Sequence, residues 1–141
     1  MGLRNSPIAR LAARLLPPSF ALARVLGRQT LRVALYHHVA DRESDAVRGL
    51  GITTPPALFE RHLDVLRRRY DVVSLHAALH EPLPPRPLLI CFDDAYRSVL
   101  QTAAPLLRAR GLPAAFFVMT GVVARPHLML DNLVCKCVNR F

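Results

Sequence analysis

Five consecutive apolar residues, LLICF from Leu88 to Phe92, run directly into two carboxylates, Asp93 and Asp94. Side chains of a strand project alternately to its two faces, so an uninterrupted apolar run cannot leave either face in water. The run therefore predicts a strand covered on both sides, as in a parallel sheet flanked by helices. The proline-rich connector EPLPPRP in front of it is stiff and excludes a helix there.

The neighbouring segments fit that architecture. LRVALY, Leu31 to Tyr36, reads as a first strand, and the polar, glycine-bearing stretch from Asp41 to Gly51 as a loop. TPPALFERHLDVLRRRY reads as a helix, with Thr54 as its cap, Pro55 or Pro56 in the first turn, and Leu58, Phe59, Leu63 and Leu66 as its apolar stripe. DVVSL is a short strand, and Ser98 to Arg110 a second helix closed by Gly111. PAAFFVM is a further strand followed by a turn at Thr120-Gly121, and LMLDNLVCKCVN the start of another helix. Strand and helix alternate with short connections, which predicts parallel strands joined by right-handed crossovers. The fold class is α/β.

Charge narrows the function classes. The net charge is +9, but residues 1–32 hold six arginines and no acidic residue, which leaves only +3 for the other 109. A near-neutral body argues against a nucleic-acid partner. The arm, residues 1–30, reads as amphipathic: Ile8, Leu11, Ala12, Leu15 and Leu16 recur at helical spacing, with Arg10 and Arg14 between them. A helix packed on the domain, a membrane-surface contact and a targeting segment all remain open for it. Arginines interrupt each apolar window, so it is not a convincing export signal, and a cytoplasmic or membrane-peripheral location is expected. Cys91, Cys135 and Cys137 have no disulfide-framework spacing, and Cys91 is expected to pack as a small hydrophobe.

In parallel α/β folds functional groups gather at the C-terminal ends of the strands, which is where Asp93 and Asp94 stand. Like charges in contact raise each other's pKa, and burial disfavours both ionised forms, so a cation is the expected compensation. One carboxylate can hold a divalent metal while the other takes a proton from water. Asp also favours the first turn of a helix, so a capping pair is the plainer alternative.

Four blocks taken together resemble the polysaccharide deacetylases, the group sharing the NodB homology domain (carbohydrate esterase family 4). They are the Tyr-His strand end in LYHHV, the Phe-Glu-Arg-His-Leu helix, the Phe-Asp-Asp-x-Tyr motif, and the Pro-Ala-x-Phe-Phe-Val strand, spread over residues 31–124. The resemblance implies an incomplete distorted (β/α) barrel of the glycoside hydrolase/deacetylase type over residues 31–141. It also implies metal-dependent hydrolysis of an N-acetyl, or sometimes an O-acetyl, group on a glycan partner. The family's roles then fall on Asp93 as general base and Asp94 as ligand of a divalent metal, with zinc (Zn2+) the expected ion. A backbone donor near Tyr96 would face the oxyanion, and His37, at a strand end on the rim, would take a substrate-side or structural role.

The departures bear on activity. The motif's usual glycine is Ala95 here, and the family's later His-x-x-x-His pair has no counterpart in its place. His76 and His80 have that spacing but precede the aspartates in what reads as a surface helix, and His127 stands alone in a loop. A single carboxylate does not make a three-ligand metal site. The chain is therefore expected to be the N-terminal portion of such an enzyme and inactive by itself. The alternatives are a non-catalytic remnant or glycan-binding protein and, less well supported, a receiver-like signalling domain, which lacks its third aspartate and its lysine.

Overall fold

The LLICF run is the body of strand β5, Pro87–Phe92, and all six of its residues are buried. The computed structural model describes residues 30–124 and 127–140, so the expectations for the arm lie, Thr30 apart, outside the described residues. Along one whole edge β5 pairs in parallel with β1, Arg32–Tyr36, in the register Arg32 with Leu88 through Tyr36 with Phe92. The strand β4, Asp71–Val72, pairs in parallel with the start of β5, and β6, Ala115–Phe116, with its end. A separate two-residue parallel pair joins β2, His38–Val39, to β3, Thr53–Thr54. Among the described residues every strand pairing is parallel and the sheet does not close.

Alternation along β5 divides the core into two. Leu88, Ile90 and Phe92 join Phe59, Leu63, Val99, Ala103 and Leu107 on one face, with Ala34 and Tyr36 of β1 beside them. Leu89 and Cys91 face the other way, with Ala115, Leu31 and Leu75. Cys91 thus packs as a small hydrophobe, and burial followed by the nearby Asp93 carboxylate pushes its thiol pKa up. Helix α1, Pro56–Arg69, covers the first face through Phe59 and Leu63. Three arginines, Arg67 to Arg69, occupy its last turn, where the helix dipole favours positive charge.

Three local expectations are corrected, and a fourth, the helix over Ser98 to Arg110, is present with an altered first turn. Thr54 does not cap α1: it is paired in β3, and the cap position is Pro55, without a side-chain hydrogen bond. DVVSL yields only Asp71–Val72 as strand, because Ser74 caps α2, Leu75–His80, accepting the Ala77 N–H at 3.1 Å. The helix after the carboxylates opens with a π-helical turn, Val99–Ala103, before α3, Ala104–Ala109. Pro105 has no N–H to bond four residues back and its ring crowds that carbonyl, which the wider turn accommodates. Finally, the strand expected over PAAFFVM is confined to Ala115–Phe116, and Thr120-Gly121 opens the short helix α4, Thr120–Ala124, instead of forming a turn.

The stop after α3 follows the sequence reading. Gly111 takes φ 63°, its N–H donates to Arg108 O at 3.1 Å, and Leu112 N–H donates to Leu107 O at 3.0 Å. These two bonds are those of a Schellman cap. Arg110 ties this end to α1, donating to Glu60 at 2.8 Å and to Asp64 at 3.1 Å. A last helix, α5, spans Leu130–Val138.

Candidate active site

The parallel register brings the two strand ends together. Tyr36 lies opposite Phe92, so the next residues, His37 and Asp93, emerge side by side. Asp93 N–H donates to Tyr36 O at 3.1 Å, which fixes the backbone there. His37 Nε2 stands 3.9 Å from Asp93 Oδ2, with the side chains 29% and 38% exposed. Beneath this rim Tyr36 lies edge-on to Phe59 at 4.9 Å and stacks on Phe92 at 5.7 Å, and Phe92 stacks on Phe116 at 5.3 Å.

The chain then turns sharply. Asp94 and Ala95 have φ of 66° and 49°, the left-handed region that glycine tolerates and other residues enter at a cost of roughly 1–2 kcal/mol each. This turn separates the two carboxylates. Asp94 lines a cavity of about 500 Å³ together with His37, Leu50, Ile52, Tyr96, Met119 and the start of α5 from Met129 to Asn132. Asp93 is not in that lining and reaches the cavity's edge through His37. Neither aspartate is a helix cap. Of the sequence-derived candidates, His37, Asp94 and Tyr96 share one cavity, with Asp93 beside it.

Tyr96 is held on several sides. Its ring is edge-on to His38 at 5.5 Å, and its hydroxyl donates to Asn132 Oδ1 at 3.2 Å and accepts from Asn132 Nδ2 at 2.9 Å. Burial pushes the phenol pKa up, the bond to Asn132 opposes this, and the Asp94 and Asp131 carboxylates add to the rise. The phenol therefore stays protonated at neutral pH. Ser98 Oγ accepts the Val39 N–H at 3.2 Å and ties the beginning of the following helix to β2.

Sequence reasoning missed Ser98, Asn132 and Asn139. The last two are seven residues apart in DNLVCKCVN, two helical turns along one face, and that spacing was the available signal. Asn139 Nδ2 lies 3.2 Å from Asp45 O, 2.9 Å from Arg48 O and 2.9 Å from Cys135 O.

As a metal centre the arrangement is partial. Asp94 presents oxygen to the cavity, but among the described residues no group of three or more His, Cys, Asp or Glu is placed to hold an ion. The residues described do not by themselves fit a resident catalytic metal. His76 and His80 lie with ring centres 4.8 Å apart on α2, outside the cavity lining. No described helix is long and apolar enough to cross a membrane.

Residues 80–136 match the family model of polysaccharide deacetylase. The structure resembles a de-N-acetylase from Aggregatibacter actinomycetemcomitans, with 26% identity, a TM-score of 0.58, and coverage of 68% of this chain and 40% of that one. It also resembles IcaB from Ammonifex degensii, with 25% identity, a TM-score of 0.57, and coverage of 79% and 50%. The BpsB deacetylase domain from Bordetella bronchiseptica is 30% identical, with a TM-score of 0.50 and coverage of 72% and 41%. The chain thus spans between two-fifths and half of the length of these structures. No curated protein sequence matches it. The open parallel sheet with its covering helices is accordingly part of a (β/α) barrel.

Proposed function

We propose that this chain, which carries part of a polysaccharide deacetylase domain, serves the hydrolysis of an N-acetyl or O-acetyl group on a glycan. In this reading Asp93 is the general base: it accepts the proton of the water that attacks the acetyl carbon, with His37 beside it at 3.9 Å to orient the carboxylate. Asp94, facing the cavity, is the carboxylate ligand of a divalent metal, with zinc expected. A backbone N–H near Tyr96 is the candidate oxyanion donor, since the Asp93 N–H is already engaged by Tyr36 O. The observation that carries the reading is the separation of the two aspartates across the Asp94-Ala95 turn, with Asp94 in the cavity lining and Asp93 beside it at His37.

The described residues supply one metal ligand, so hydrolysis by these residues alone is expected to be absent. The test is acetate release from an N-acetylglucosamine oligosaccharide with added Zn2+, run beside Asp93→Asn. Release no greater than in that variant is expected. Zinc-dependent release that is lost in Asp93→Asn would overturn the expected silence and support the base, whereas release that survives the substitution would overturn the base.

A further inference from the structure

Two successive non-glycine residues at positive φ need external support, because each such residue persists only where its surroundings over-determine it. Upstream, the turn is fixed by Asp93 N–H on Tyr36 O. Downstream, the first side chain after the strained pair is Tyr96, and its hydroxyl is engaged twice by Asn132. Asn132 is 3% exposed, and it is the one buried polar side chain among the described residues. Its amide is fully used, because Nδ2 also donates to Ala46 O at 2.8 Å. A buried amide with every group bonded is a rigid anchor, and removing it leaves its partners unsatisfied.

Both asparagines dock α5 on the loop, Asn132 through Ala46 O and Asn139 through the carbonyls of Asp45 and Arg48, but of the two only Asn132 also bonds Tyr96. We propose that Asn132 is a positioning residue: through Tyr96 it holds the strained Asp94-Ala95 turn in the conformation that presents Asp94 to the cavity. This rests on the reading of Asp94 as a residue of the site.

The test is NMR of the full chain, reading the amide shifts and HN–Hα couplings of Asp94 and Ala95. Asn132→Ala should move both amides and change both couplings, because the turn loses the bonds that hold Tyr96. Asn139→Ala, which loosens only the helix, should leave them in place. Adding Ala95→Gly to Asn132→Ala should return the Asp94 amide to its place in Ala95→Gly alone, because glycine accepts the left-handed conformation without support. Tyr96→Phe removes the hydroxyl alone and should reproduce the shift if Asn132→Ala fails to fold. Unmoved turn signals in Asn132→Ala and Tyr96→Phe, or equal disturbance by Asn139→Ala, would overturn the proposal. The shifts and couplings decide the role of Asn132 whether or not acetate release supports the proposed roles of the two aspartates.

Discussion

His37 and Asp93 follow residues that face each other in the β1–β5 register, and their side chains stand 3.9 Å apart at the end of the sheet. A parallel pairing thus delivers a basic and an acidic group to one rim from segments more than fifty residues apart in sequence. The second carboxylate of the pair leaves that rim by a left-handed turn and enters the cavity.

The turn sets the first prediction. Ala95 at φ 49° carries a steric cost that glycine does not, partly offset by the greater freedom of glycine in the unfolded chain. Ala95→Gly should therefore raise stability by about 1 kcal/mol, read as a higher urea midpoint at unchanged slope. A lower midpoint would show that the turn is not strained at this residue.

Burial lowers the His38 pKa from its ordinary value of 6.5, and the Glu43 carboxylate partly opposes this. The folded chain then holds this proton less readily than the unfolded one. Its contribution is fully present above the unfolded value and is lost as pH falls through the folded one. Urea midpoints should drop between about pH 7.5 and pH 5, and drop less in His38→Gln. Equal slopes in the two proteins would remove His38 as the cause.

Phe59 is fully buried between Tyr36 and Phe92, at ring distances of 4.9 and 5.9 Å. Phe59→Ala should cost about 3–5 kcal/mol, since the cavity left under the site cannot collapse against a central strand. A loss below 1 kcal/mol, roughly that of a surface change, would contradict the core assignment.

Much of this was legible from the sequence because it depended on local pattern. The run from Leu88 to Phe92 announced a strand buried on both faces, and Gly111 announced the end of α3. Asp93 and Asp94 were visible as a pair at a strand end. What the sequence did not display were relationships fixed by tertiary contact. Asn132 and Asn139 are ordinary residues until α5 meets the loop near Asp45. Thr54 is a good cap in isolation, but its backbone is taken by β3. The π-helical turn before Pro105 arises from accommodating a proline within a continuous helix, a conflict that the apolar stripe does not reveal.

The central claim is that the two aspartates have different roles, one binding a cation and the other accepting a proton. Mn2+ is the suitable probe, because a hard cation prefers carboxylate oxygen and is poorly held by the His76–His80 pair or by thiols. Water-proton relaxation should be followed as Mn2+ is added to the full chain, to Asp93→Asn and to Asp94→Asn. With one ligand among the described residues, binding is expected to be weak; Asp94→Asn should abolish it, while Asp93→Asn stays within about threefold of the unsubstituted chain. Equal losses, or the larger loss in Asp93→Asn, would contradict the account.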